Sequence, residues 1–386
     1  MKKNTLVVAW LFALWLPFAH SLADVLPLAK DLHEAVVQVD VQLKDMHGRS
    51  EQRSIPVTTF KPDGDGPFPL LVLNHGRAVS REKRANPLRF RYEQQARYFV
   101  GKGFVVMVPT RVGYGQAQVD AFDPESSGTC SQPQIEPLSL AASDQVLAVV
   151  AHARSLPFVD ASRWWVAGQS VGGLISVATV WRQPPGLQGG INFSGGTGGN
   201  PELRPGRPCG ATQIAQLWKA RAAQAQVPML WLYWENDLYW GPDQPRAWHQ
   251  AWREGGGQAQ LKMLEPVGKD GHLGFSADMD HWTPVLDQFL ARWQITQSAL
   301  PEQPQPSGFA EIGESDKVPV SAAQRQDLYA RFLASPLPRA FAIGPQGAAG
   351  FATGDWAVGR ALGFCQSRRG ARCQLYAVDK QVVWRN

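Results

Sequence analysis

The chain has 386 residues, of which 44% are hydrophobic and 10% aromatic, enough for one large α/β domain and a smaller unit beside it. Its formal charge of +5 falls to +3 without Lys2 and Lys3, too small an excess to point to nucleic acid. The four cysteines include no Cys-x-x-Cys pair, so a zinc knuckle or a thioredoxin-like redox site has no support.

The N-terminus reads as a secretory signal over residues 1–23. Lys2 and Lys3 precede an apolar stretch from Thr5 to Ala19, and Ser21-Leu22-Ala23 offers the small residues a signal peptidase needs. The mature chain then starts at Asp24; a retained anchor is the alternative, and no later segment could span a bilayer. Export to the periplasm or medium makes the even set Cys130, Cys209, Cys365 and Cys373 a candidate pair of disulfides. Three pairings are open. The local choice is Cys365–Cys373, which leaves Cys130–Cys209, and four free thiols are the plainer alternative.

Alternation of apolar and polar residues marks strands at Ala35–Leu43 and near Ser54–Phe60, and a near-continuous apolar run marks a doubly buried strand at Phe68–Leu73. The basic stretch Arg77 to Arg91 reads as a solvated loop and helix face, with helical periodicity from Leu88 to Val100. Phe104–Pro109 is the next buried strand. A long excursion, Gly113 to Pro137, follows it; loops of that length are functional or strapped down, here by Cys130. Then come a helix at Leu138–Leu156, a strand at Arg163–Gln169 and a strand at Leu187–Phe193. The glycine cluster Ser194 to Gly199 lacks the lysine and spacing of a phosphate loop and reads as a flexible rim. Helices at Ala211–Gln224 and Arg246–Arg253 enclose a strand at Met229–Trp234; a last strand at Gln260–Val267 precedes the closing helix Trp282–Trp293. This alternation implies a mostly parallel sheet with helices on both faces, over residues 24–295. A Pro-rich linker, 296–308, leads to a small α+β module, 309–386, whose core needs a disulfide or docking onto the main domain.

Gly168-Gln169-Ser170-Val171-Gly172 joins the apolar run Trp164–Ala167 to a small-residue helix. Such a sharp strand-to-helix turn holds a serine out at the carboxyl edge of the sheet, with glycines where a Cβ would clash. A serine hydroxyl needs a base, and the base needs an acid to orient it. The strand Met229–Trp234 runs into Asp237, the candidate acid, with Glu235 as competitor. The last strand runs into His272, the candidate base; His281, at a helix start, is the alternative, and Asp270 is a possible local partner. His33, His47, His152 and His249 read as surface residues, and His33-Glu34 has no second histidine to complete a zinc motif. Backbone N–H groups of Val171 and Arg77 are the candidate oxyanion donors, with His75 bracing the loop that carries Arg77.

Asn74-His75-Gly76, Pro109–Gly115, Gly168–Gly173, Trp234–Asp237 and Gly271-His272, in this order across Val36 to Arg292, resemble the α/β-hydrolase superfamily and within it the dienelactone-hydrolase-like group. The resemblance implies a hydrolase fold, a Ser170–Asp237–His272 triad, no metal or organic cofactor, and a small-molecule ester or amide as substrate. Ser170 stands where true dienelactone hydrolases carry cysteine, which favours serine esterase chemistry over lactone opening. Arg111, Gly113 and Gly115 also resemble the prolyl-oligopeptidase peptidases, an alternative that implies amide cleavage; too few residues precede the first strand for that group's propeller. A non-catalytic envelope-binding protein on the same scaffold is the reading outside enzymology. Trp356 to Trp384 resembles a small cysteine-bearing module found in exported bacterial proteins, which carries no function with it.

Overall fold

The computed structural model describes residues 28–78, 80–118, 122–299, 305–369 and 372–385; the signal-like segment 1–23 and the middle of the linker lie outside them. Strands β1 (Ala35–Lys44), β2 (Ser50–Phe60), β3 (Phe68–Asn74), β4 (Val105–Pro109), β5 (Val159–Gln169), β6 (Leu187–Phe193), β7 (Met229–Trp234) and β8 (Ala259–Leu264) form one sheet in the order β1-β2-β4-β3-β5-β6-β7-β8. The β1–β2 and β2–β4 pairs are antiparallel and every other pair is parallel.

Because strand side chains alternate, each apolar run feeds two cores. Leu70, Val72, Trp164, Val166, Trp231 and Tyr233 face one side, covered by helices Ile135–Ala153, Val171–Trp181, Ala211–Ala222 and Asp243–Glu254. Leu71, Leu73, Trp165, Ala167, Leu232 and Trp234 face the other, covered by helices Glu93–Gly101 and Met279–Ala291. Eight of the fifteen tryptophans in the chain are among the most fully buried large side chains, so the tryptophan excess is core.

Two expectations need correcting. The helix expected from Leu88 starts only at Glu93, because the chain before it is tied sideways to the end of β4: Phe90 N–H donates to Thr110 Oγ1 (2.9 Å) and Gln116 N–H to Leu88 O (2.9 Å). The basic stretch Arg77 to Arg91 is largely paired rather than solvated. Arg77 and Arg84 meet Asp123, and Arg89 and Arg91 meet the buried Glu34. These acids lie far along the chain, where no local pattern could announce them.

Beyond the main sheet, β9 (Arg339–Gly344), β10 (Ala348–Thr353), β11 (Gln374–Val378) and β12 (Gln381–Val382) form a four-stranded antiparallel sheet in the order β10-β9-β11-β12, packed on helix Ala357–Arg369. Both disulfides form, Cys130–Cys209 and Cys365–Cys373. The described ends of 296–308 are packed: Ala299 lies against Gly101, and Ser307 N–H donates to Val382 O (2.9 Å). Among the described residues no helix is long and apolar enough to cross a membrane.

Candidate active site

The parallel strands all deliver their carboxyl ends to one edge, and the candidate residues stand on the segments that leave it: Arg77 after β3, Ser170 immediately after β5, Asp237 after β7 and His272 on the longer loop after β8. Ser170 has φ 58° and ψ −122°, a conformation an L-residue adopts only when its surroundings impose it. The surroundings are specific. Ser170 N–H donates to Phe193 O (2.9 Å), and Ser170 O accepts from Gly173 N–H (2.9 Å) and Gly196 N–H (3.2 Å). A Cβ at Gly168 would run into Gly172, and one at Gly172 into the Asn74 and His75 carbonyls, so the turn closes only with glycine at both places.

His272 Nε2 lies 2.9 Å from Ser170 Oγ, and His272 Nδ1 lies 2.9 Å from Asp237 Oδ2. All three residues are buried. The other Asp237 oxygen accepts from Tyr239 N–H (2.8 Å) and Trp240 N–H (3.1 Å), which fixes the carboxylate toward the imidazole. A carboxylate on Nδ1 makes that nitrogen the donor and leaves Nε2 to accept from the serine hydroxyl. Tyr239 stacks on the imidazole with centroids 3.9 Å apart, and Trp240 meets it edge-on at 5.3 Å.

The competitors lie elsewhere. Glu235 turns outward to Arg246 (2.5 Å), and His281 bonds to Asp278 (2.5 Å) with its side chain 75% exposed. Asp270 accepts from His272 N–H (2.9 Å) and Leu238 N–H (3.0 Å), tying the acid loop to the base loop. Asn236 adds a second tie to Val267, and Gln169 Nε2 donates to His272 O (3.0 Å). Neither Asn236 nor Gln169 carries a signal of its own in the sequence; only adjacence to the acid and the serine could have drawn attention to them.

Val171 is the first residue of its helix, where the N–H has no intrahelical acceptor and the helix dipole favours negative charge. Among the described residues Arg77 N–H bonds to no other backbone group. Its loop is braced from behind. His75 is fully buried and stacks on Phe90 at 3.6 Å; its Nδ1 donates to Gly76 O (2.7 Å) and its Nε2 accepts from Arg111 N–H (3.2 Å). Burial, and then the Arg111 charge, hold the His75 pKa well below the ordinary imidazole value, so it stays neutral. Arg111 Nη2 donates to His75 O (2.8 Å), and Arg111 pairs with Glu125 with both side chains 0% exposed. The Arg77 guanidinium forms a two-pronged pair with Asp123 (3.0 and 2.5 Å). Burial pulls its pKa down, but Tyr114 and Asp123 outweigh that and raise it.

Arg77, Ser170 and Val171 line a cleft of about 280 Å³, walled by Ser126–Cys130, Thr197–Asn200, Arg204, Tyr239 and the Cys130–Cys209 disulfide. That is close to the lower limit of about 300 Å³ for small-molecule sites. The glycine cluster expected to be a flexible rim is instead largely buried. Gly195 abuts Gly173 and Gly196 abuts Trp240 and Trp248, so its glycines serve close approach rather than freedom. Among the described residues no three His, Cys, Asp or Glu side chains gather as a metal site would require.

This is an α/β-hydrolase fold. No protein-family model and no curated protein matches the sequence. Solved structures similar to the chain include a putative dienelactone hydrolase from Klebsiella pneumoniae subsp. pneumoniae MGH 78578, at 17% identity and TM-score 0.43 over 67% of this chain and 98% of that one. An acylaminoacyl peptidase from Pyrococcus horikoshii is similar at 15% identity and TM-score 0.43 over 69% of this chain; the chain spans 43% of that peptidase's length. A dienelactone hydrolase-like promiscuous phosphotriesterase from metagenomic libraries is similar at 18% identity and TM-score 0.41, over 61% of this chain and 82% of that one.

Proposed function

We propose that this chain is an exported serine hydrolase that cleaves small carboxylic esters through an acyl-enzyme. The observation that carries the reading is the unbroken Ser170 Oγ–His272–Asp237 hydrogen-bond chain, 2.9 Å at each link, beside a cleft that Arg77 and Val171 share with the serine.

In this reading Ser170 Oγ attacks the acyl carbon while His272 Nε2 takes its proton. Asp237 holds the tautomer and offsets the imidazolium charge. The carbonyl oxygen, now an anion, is met by Val171 N–H and Arg77 N–H, fixed donors that need no reorganisation as the charge develops. His272 passes the proton to the leaving alkoxide, the alcohol departs, and the acyl group stays on Ser170. Water then attacks the acyl-enzyme, giving its proton to His272, and the carboxylic acid leaves as Oγ is reprotonated. No metal or organic cofactor enters any step.

Export is supported by the signal-like segment 1–23 and by the two disulfides, which persist in oxidising compartments. Turnover of p-nitrophenyl acetate and butyrate, against aminoacyl and peptide p-nitroanilides, tests the reading. Ester turnover that falls on the order of 10⁴-fold or more in Ser170→Ala supports it. Preferential anilide cleavage would make the chain a peptidase instead, and ester turnover unchanged in Ser170→Ala would refute the mechanism.

A further inference from the structure

We propose that the C-terminal module completes the active site: Asp355 and Trp356 are positioning residues that hold the segment bearing His272. The inference rests on the serine-hydrolase reading for its consequence in rate, but on packing for its substance.

The chain from His272 runs through a short helix, Gly274–Ala277, into helix Met279–Ala291. A helix start leaves its first N–H groups without acceptors, and the residue just before it commonly supplies one. Asp278 stands at that place but makes no cap. One of its oxygens accepts from Trp234 Nε1 (2.6 Å) and the other from His281 Nδ1 (2.5 Å). The missing cap comes from the other sheet. Asp355, on the turn after β10, accepts from Met279 N–H (2.5 Å) on one oxygen and from Asp280 N–H (2.9 Å) on the other. The grip is reciprocal, since Trp356 N–H donates to Asp280 Oδ2 (2.9 Å).

Trp356 bears the marks of a docking residue. Its φ of 53° is one that a bulky aromatic rarely adopts, and its indole Nε1 is buried without a partner. Its ring is 2% exposed and belongs to the main domain's second core with Phe275, Met279 and Trp282. Local strain and an unmet donor persist where surrounding packing outweighs them.

The grip reaches the catalytic centre through Trp234. This residue ends β7 directly before the acid loop, its indole is held by Asp278, and its side chain fills the space beside Gly271 and Gly274, on either side of His272. Asp355 thus fixes the helix start, the helix start presents Asp278, Asp278 fixes Trp234, and Trp234 sets the gap between Asp237 and His272. Misplacement of a reacting group by about 1 Å can cost on the order of 10²-fold in rate.

The test uses the full chain with Asp355→Ala, Asp355→Asn and, as a control that weakens the module elsewhere, Ser321→Ala, which removes a helix capping box away from the junction. Asp355→Ala is expected to lower kcat on p-nitrophenyl butyrate at least tenfold, with KM within twofold and fluorophosphonate labelling of Ser170 slowed in parallel. Asp355→Asn keeps one acceptor for the helix start and can donate to the Asp280 carboxylate, and should restore kcat to within threefold. Ser321→Ala should lower Tm and leave kcat unchanged. Hydrogen exchange of amides 271–282 should quicken in Asp355→Ala, a readout independent of any reaction. Exchange there at the wild-type rate, or equal kcat losses in Asp355→Ala and Ser321→Ala, would overturn the proposal. An unlabelled, inactive wild type with faster exchange in Asp355→Ala would keep the grip and remove the serine-hydrolase reading alone.

Discussion

Glu125→Gln isolates a charge that the fold cannot replace. Glu125 and Arg111 are both 0% exposed and bonded at 2.5 and 3.2 Å, and Glu125 also accepts from Tyr114 OH (2.7 Å). The amide keeps the shape of the carboxylate but leaves the Arg111 cation buried without a counter-charge. Removing one partner of such a pair costs roughly 3–5 kcal/mol, a large part of the roughly 5–15 kcal/mol that holds a domain together. Replacing both partners with apolar residues, Arg111→Met with Glu125→Leu, removes the stranded charge and should recover much of that loss. It should not recover rate in full, because Arg111→Met keeps the backbone N–H bond to His75 Nε2 but loses the Nη2 bond to His75 O, and His75 braces the Gly76-Arg77 loop. Losing alignment of one oxyanion donor costs up to roughly 10²–10³ in kcat. Urea unfolding followed by tryptophan fluorescence, with ester turnover on the same samples, measures both quantities. A Glu125→Gln loss below about 1 kcal/mol, or a double variant weaker than the single one, would show that the buried pair does not carry this stability.

Other consequences are as direct. Asp237→Asn should lower kcat on p-nitrophenyl butyrate by about 10⁴-fold, by presenting the wrong histidine tautomer, whereas Glu235→Gln should change it less than tenfold; the reverse ranking would reassign the acid. Cys130→Ser with Cys209→Ser opens a loop of 79 residues and should cost about 4–5 kcal/mol by chain entropy, against about 2–3 for the 8-residue loop of Cys365–Cys373, as urea midpoints would show. Burial, and then the Asp280 charge, push the Asp355 carboxyl up to about 6. The folded chain therefore binds a proton that the unfolded chain releases, so this group's stability is present below about pH 4 and lost as pH rises through about 6. His281, raised by its bond to Asp278, acts in the same direction, and Asp278 and Asp280 face the same junction. Tm measured from pH 4.5 to 7.5 should fall less steeply in Asp355→Asn than in wild type; equal slopes would place the effect elsewhere.

Much of this architecture is legible in the sequence because strands buried on both faces are continuous apolar runs, and the residues after them stand at one edge of a parallel sheet. Ser170 and Asp237 each follow such a run, His272 follows the alternating edge strand β8, and the structure brings the three together. What the sequence hides is pairing between loops. Nothing near Arg111 announces Glu125, nothing near Arg89 and Arg91 announces Glu34, and the Asp355–Met279 contact joins segments that no periodicity relates. Glycine was ambiguous for a related reason. At Ser194 to Gly199 composition suggests freedom, while the packed neighbours of Gly195 and Gly196 show that small size is what the fold uses.

In the proposed reaction the Ser170 oxygen forms a bond to the substrate's acyl carbon. A fluorophosphonate that mimics the tetrahedral intermediate reads this directly: after labelling and trypsin digestion, the adduct should lie on the peptide Trp164–Arg182 and fragment to Ser170 rather than Ser176. One adduct per chain is expected, lost in Ser170→Ala and slowed in His272→Ala. An adduct on any other residue, or labelling that survives Ser170→Ala, would contradict it.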